Sequence, residues 1–317
     1  LEFLEAVEEL ADLAGVQVPR DVSDKNLVNS KEVFEVLGQA ETFYKQQLRT
    51  ATSKEKAINY LKNRGISGET AKVFGIGYAP EGWRNLIDHL AKNGTTEEKL
   101  ARGGLAIKKQ TSGYYDRFRD RIIFPIQDKR GRVLGFGGRV LDKSEPKYLN
   151  SPETEVFHKG TELYGLKQAV ASGQLDSLIV VEGYMDVISL YQFGIRNSVA
   201  TLGTAVTSAH LDKLFRHVSK IVFCFDGDKA GKRAAWKGLE LSLPKIQGDR
   251  QVEFCFLPEG HDPDSAVRKF GSDRFFAASK VYSLIDYLLD YLKQKVDLSS
   301  GEGKANLLAT IKPFMEK

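Results

Sequence analysis

The chain has 317 residues, 42% of them hydrophobic, and a formal net charge of +4, enough for two or three compact units with cores of their own. No apolar run approaches the ~20 residues of a membrane-spanning helix, no signal peptide opens the chain, and two cysteines make no disulfide framework. These features argue against a membrane protein and against a disulfide-stapled secreted domain, and they predict a soluble, cytoplasmic protein.

Residues 1–28 carry an acidic amphipathic helical pattern that stops at Gly15, followed by a polar connector. Beginning at Leu1 rather than Met, the chain reads as a piece of a longer protein. Residues 29–170 read as a mixed α+β unit whose most legible part is a hairpin. Strand-like residues 122–127 and 132–136 flank an Asp128-Lys129-Arg130-Gly131 turn. Between Lys99 and Lys147 stand thirteen Lys and Arg against five Asp and Glu. A charge run ordinarily means a solvated face. Here Tyr114, Tyr115, Phe118, Phe136 and Tyr148 interleave with Arg117, Arg119, Arg121, Arg139 and Lys147, which suits a single nucleic-acid strand that needs its phosphates neutralised and its bases stacked. Core packing is the competing role for Phe118, Phe124 and Phe136. Gly135, Gly137 and Gly138 weaken the strand they occupy and predict a close backbone approach, here by nucleic acid. They are not a dinucleotide fingerprint, because Val140 stands at the last glycine position, and Gly231-Lys232 lacks the rest of a P-loop.

Residues 171–270 alternate in pattern. Apolar runs at 178–181 and 221–225 read as strands, and so do the strand-like stretches 198–202 and 252–257. Helical spacing fills 187–193, closing at Gly194, then Leu211, Leu214, Phe215 and Val218, then 230–241, stopping before Pro244. That alternation predicts a parallel sheet with right-handed crossovers. Three of the strands run into acidic clusters: Glu182 and Asp186, Asp226 and Asp228, Asp262 and Asp264. A lone Asp-Gly-Asp is usually a solvated turn, but the C-terminal strand ends of an open parallel sheet form its ligand crevice, and carboxylates gathered there can hold divalent cations. Without cations their mutual repulsion would be destabilising. Cys224 and Cys255 lie inside strand patterns as small buried thiols, and no His stands at metal spacing near either, so zinc is not expected. Residues 271–317 read as helical, over 275–292 and 305–314, and as stopping short of a complete subdomain.

Glu182 with Gly183 and Asp186, then Gly203-Thr204, then Asp226-Gly227-Asp228 with Ala230-Gly231 together resemble the Toprim domain shared by bacterial primases, topoisomerases and some nucleases. Upstream stand Arg117-Phe118-Arg119-Asp120-Arg121, Gly135-Phe136-Gly137-Gly138-Arg139, Pro146-Lys147-Tyr148-Leu149-Asn150-Ser151-Pro152-Glu153-Thr154 and Phe157-His158-Lys159-Gly160. With these, nearly the whole chain is similar to the RNA polymerase core of bacterial DnaG-type DNA primases. The resemblance implies an α/β fold with a Toprim-type parallel sheet and flanking helices over residues 171–270, preceded by a basic α+β subdomain and followed by a helical segment. It implies synthesis of short RNA primers on a single-stranded DNA template from ribonucleoside triphosphates, with Mg²⁺ or Mn²⁺. On this resemblance Glu182, Asp226 and Asp228 are the catalytic metal-binding residues, and Asp186, Asp262 and Asp264 complete the acidic site. Arg64, Arg139, Lys147, Tyr148, Asn150 and Lys159 form the surface that tracks template or nucleotide phosphates. In such primases a zinc-binding domain precedes this core, and its cysteines are absent here; a further domain contacts the replicative helicase and is expected to lie outside this chain. A Toprim nuclease or topoisomerase is the alternative, since one fold hosts several chemistries. A noncatalytic nucleic-acid-binding module would have no need of the acidic clusters.

Overall fold

The computed structural model describes residues 24–294 and 299–315; the expected helix ending at Gly15 lies outside them. The described residues open on helix α1 (Asp24–Thr50). Its buried residues Val33, Val36, Leu37, Ala40, Phe43 and Tyr44 recur at three and four, one apolar stripe. Short helices α2 (Lys54–Asn63) and α3 (Gly68–Val73) follow. The N-terminus of α3 is set by Ser67, whose hydroxyl accepts the Thr70 N–H. Next come β1 (Gly77–Ala79), α4 (Asn85–Ala91) and α5 (Glu97–Arg102), and the ribbon β2 (Ala106–Lys108) with β3 (Tyr114–Asp116). The expected hairpin is β4 (Arg121–Gln127) with β5 (Val133–Val140), turned by Gly131 at a positive φ of 85°; β6 (Tyr148–Asn150) completes an antiparallel sheet ordered β1-β4-β5-β6. The stripe of α1 lies on this sheet, with Tyr44 edge-on to Phe136 at 5.4 Å.

The glycines of β5 serve packing, and the expectation that they admit nucleic acid to the main chain is corrected. A Cβ on Gly137 would stand 2.5 Å from the Tyr184 ring, one on Gly138 2.7 Å from the Phe118 ring, and one on Gly135 3.1 Å from Ser151. The missing side chains of Gly137 and Gly138 make room for aromatic rings. The Tyr184 ring has little freedom to yield, being stacked on Phe124 at 5.2 Å with its hydroxyl donated to Asn150 Oδ1 at 2.7 Å. Gly137→Ala is therefore expected to destabilise the protein by about 1–3 kcal/mol, as overpacking does; an unchanged denaturant midpoint would refute this account.

Beyond α6 (Leu166–Ala171) the second unit runs β7 (Ser177–Val181), α7 (Tyr184–Gln192), β8 (Ser198–Ala200), α8 (Ser208–Leu214), β9 (Lys220–Phe225), α9 (Lys229–Ser242) and β10 (Gln251–Phe256). It continues with α10 (Pro263–Phe270), α11 (Ser272–Phe275), β11 (Lys280–Ser283), α12 (Leu284–Lys293) and α13 (Gly301–Met315). The sheet order is β11-β10-β9-β7-β8; the strands expected from sequence pair in parallel, while β11 joins β10 antiparallel. That last strand corrects the helical reading of residues 275–292. Both faces of the sheet are covered, which explains the continuous apolar runs. Ile179, Val181, Val222 and Cys224 belong to a core shared with Tyr78, Ile122 and Phe124 of the antiparallel unit, whereas Leu178, Val180, Ile221 and Phe223 belong to one shared with Leu211, Leu239 and Leu288. Cys224 and Cys255 are buried free thiols in register on β9 and β10, as expected of them.

Candidate active site

From β7 the chain crosses through α7 to β8 on one side, then returns through α8 to β9 on the other. The crevice of an open sheet lies at such a reversal, outside the C-terminal strand ends. Glu182 directly follows β7 and Asp226 directly follows β9. The Asp-Gly-Asp turn is clamped from two sides. Gly227 lies so close to the Leu257 carbonyl, and Gly231 to the Asp226 carbonyl, that a Cβ on either would collide with backbone. Asp228 then caps α9, its Oδ1 accepting the Gly231 N–H at 2.7 Å, and Asp262 caps α10 by accepting from Ser265 N–H at 2.7 Å.

Glu182, Asp228 and Asp262 are exposed at the rim, with Asp186 and Asp226 half-buried below them. The carboxylates feel one another. Burial pushes Asp226 up to about 6, reinforced by Glu182, Asp262 and Asp228. Burial pushes Asp186 up to about 8, reinforced by Asp262, Asp226 and Asp264. Glu182 is raised by burial and by Asp228. Asp262 goes the other way: burial raises it, but hydrogen bonds from Ser265 and the guanidiniums of Arg64 and Arg268 outweigh that and lower it. Among the described residues no three acidic, His or Cys side chains close around one point. An open set of hard oxygen donors fits a cation held by one or two carboxylates, with water and substrate phosphates supplying the rest, rather than by a protein cage.

Asp264 stands apart from that open set. It is 1% exposed; its Oδ2 accepts from Arg64 Nη1 and Arg268 Nη2, each at 2.6 Å, and its Oδ1 accepts from Ser189 Oγ. Its N–H donates to Asp186 Oδ1 at 3.4 Å, while Gly183 N–H donates to Asp186 Oδ2 at 3.0 Å. Asp264 is thus the anchor that fixes α10 to α7 and holds Asp186 in place. Arg64 is correspondingly an ion-pair partner within the molecule rather than a free cation.

The other residues expected to track phosphates fall into two groups. Lys147 and Tyr148 are exposed and Lys159 is half-buried. Asn150 is a structural tie: its Nδ2 donates to the Leu202 carbonyl at 2.8 Å and its Oδ1 accepts from Tyr184. Arg139 is 9% exposed, with its guanidinium 4.3 Å from the Tyr60 ring centre and 5.8 Å from that of Tyr148. Tyr148 lies 6.1 Å from Tyr184, two residues before Asp186, so this surface adjoins the acidic crevice. Of the basic motif on the approach to β4, Arg117 and Arg121 hold the carbonyls of Asn150 and Pro146.

Sequence reading missed Ser189 and Tyr60, whose partners Asp264 and Arg139 lie far away in the chain, and Arg268, which pairs with Asp264 one helical turn before it. It also missed Trp83, which is 62% exposed with the Arg119 guanidinium 4.3 Å from its ring centre and Tyr115 beside it at 5.5 Å. The available signal was a tryptophan in a Gly82-Trp83 loop, a large apolar side chain where no core element passes.

A parallel sheet with carboxylates at its reversal, set against a basic antiparallel unit, defines a Toprim-fold protein. Comparison with known proteins narrows this. Residues 179–267 match the Toprim-like family, residues 43–170 the DNA primase catalytic core, N-terminal domain, and residues 285–317 the DnaB-helicase binding domain of primase. The DNA primase of Pseudomonas putida is 50% identical over all of this chain. A DNA primase domain from Pseudomonas aeruginosa has the same fold with a TM-score of 0.85 at 50% identity, covering 90% of each chain. A DnaG primase catalytic domain bound to single-stranded DNA gives a TM-score of 0.85 at 43% identity, covering 91% of this chain and 93% of that one. The chain belongs to the DnaG-type DNA primases and comprises their catalytic core. It spans 49% of the length of the Pseudomonas putida relative. The match at residues 285–317 overturns the expectation that the helicase-contacting segment lies outside this chain.

Proposed function

We propose that this chain catalyses template-directed joining of ribonucleotides on single-stranded DNA, making RNA primers for replication in the bacterial cytoplasm. The observation that carries the reading is the open carboxylate crevice between β7 and β9, bordered directly by the cationic and aromatic surface of β5 and β6. The reaction is attack of a 3′-hydroxyl on the α-phosphate of a ribonucleoside triphosphate, with pyrophosphate leaving. Bound divalent cations, Mg²⁺ or Mn²⁺ in view of the all-oxygen donors, supply charge stabilisation to the attacking and leaving oxygens. Glu182, Asp226 and Asp228 hold them, Asp186 and Asp262 add negative charge beside them, and Asp264 keeps that group in register. Arg139, Lys147 and Lys159 hold strand and nucleotide phosphates, and Trp83, Tyr115 and Tyr148 offer faces for bases. Residues 29–170 would thus guide the strand, residues 171–270 perform the transfer, and residues within 285–317 meet the replicative helicase. The test is incorporation of labelled ribonucleotides on single-stranded DNA with Mg²⁺ or Mn²⁺. RNA oligomers that require template and cation are expected; cleavage of the DNA without synthesis would favour the nuclease chemistry of the same fold and sink this reading.

A further inference from the structure

Tyr60 lies in the last turn of α2, its ring packed against the core shared by the two units. It touches both arginines of the crevice border: the Arg139 guanidinium lies 4.3 Å from its ring centre and that of Arg64 5.6 Å. The two arginines differ in what else holds them. Arg64 has Asp264 as counter-charge at 2.6 Å. Arg139 has no acidic partner among the described residues: its Nη1 donates to the Val140 carbonyl at 2.9 Å, the Tyr148 ring centre lies 5.8 Å from the guanidinium, and its Nε–H is buried with no acceptor. A buried charged donor without a partner is costly, and a part in function is one reason for keeping it. The Tyr60 hydroxyl is likewise shielded and makes no hydrogen bond, so what Tyr60 offers Arg139 is the face of its ring.

We propose that Tyr60 is a positioning residue: its ring holds the Arg139 guanidinium at the edge of the crevice, with the part left accessible turned to a phosphate oxygen of the bound strand or nucleotide. A cation held against a desolvated ring keeps its orientation without an anionic partner that would compete with phosphate. Arg64 on the same ring stays paired to Asp264, so the ring separates a structural arginine from a ligand-binding one. This inference rests on the proposed phosphate-tracking role of Arg139, and the test separates the two.

The experiment measures single-stranded DNA affinity against salt concentration for the wild type, Arg139→Ala, Tyr60→Met, Tyr60→Phe and Tyr60→Met with Arg139→Ala. Arg139→Ala is expected to lower the slope of log affinity against log salt by about 0.7, the loss of one phosphate contact. Tyr60→Met fills the space without a ring and should weaken binding about fivefold with a similar fall in slope. Tyr60→Phe should stay within about twofold of the wild type, and the double variant should match Arg139→Ala alone, because the two side chains act through one contact. A slope lowered by Arg139→Ala but not by Tyr60→Met, or effects that add in the double variant, would overturn the positioning role alone. An unchanged slope for Arg139→Ala would overturn the phosphate-tracking role and this inference with it. Thermal melts verify folding, and Tyr60→Leu takes the place of Tyr60→Met if the latter does not fold.

Discussion

Asp226→Asn and Asp264→Asn are expected to shift thermal stability in opposite directions, although both remove one carboxylate from the same acidic region. In the absence of divalent cations Asp226→Asn should melt at or above the wild type, because Asp226 is held up to about 6 by burial and by Glu182, Asp262 and Asp228, and removing its charge relieves that crowding. Asp264→Asn should melt well below it. Its carboxylate is the shared partner of Arg64 and Arg268 in a 1% exposed position, and breaking a buried ion pair from one side costs about 3–5 kcal/mol. In ribonucleotide incorporation the Asp226 variant should lose at least about 100-fold, more than is usual for a residue one step removed from a metal. Parallel stability changes in the two variants would show that the division between open crevice and buried anchor is wrong.

Stability without cations should fall as pH rises from about 4 to about 8. A carboxylate whose folded value is raised binds its proton more tightly in the folded protein than in the unfolded chain. Its favourable contribution is complete below the unfolded value and is lost as pH rises through the folded one. For Asp226 that window ends at about 6 and for Asp186 at about 8, each raised first by burial and then by neighbouring carboxylates. A cation that binds only the ionised crevice reverses the trend, so added Mg²⁺ should raise the melting temperature more at pH 8 than at pH 5. At a hundredfold excess over its dissociation constant the gain is about 2.7 kcal/mol, or on the order of 5 °C for a chain of this size. An equal or larger Mg²⁺ effect at pH 5 would contradict cation binding at these carboxylates.

The alternation of strands and helices between residues 177 and 256 was legible because the central strands of a doubly covered sheet are uninterrupted apolar runs, and β7 and β9 match the expected spans to within one residue. Two of the acidic clusters were legible for the same reason: Glu182 and Asp226 directly follow such runs, and Asp262 and Asp264 follow β10 after a short loop, so their shared position near the strand ends follows from chain direction. Strand β11 was not legible. Lys280–Ser283 is a four-residue edge segment that becomes a strand only by pairing with β10, a contact no local period reports. The glycines of β5 signalled a close approach, but that the approaching group is the Tyr184 ring depends on how the antiparallel unit packs against α7. Likewise all six carboxylates look alike in the sequence. Asp264 parts from the others because Arg64, two hundred positions earlier in the chain, reaches it across the junction of the two units. Local patterns record which face a residue presents and which element it ends, while the partner that meets a charge is set by long-range packing, and here that partner decides whether a carboxylate is left for a cation or spent on the fold.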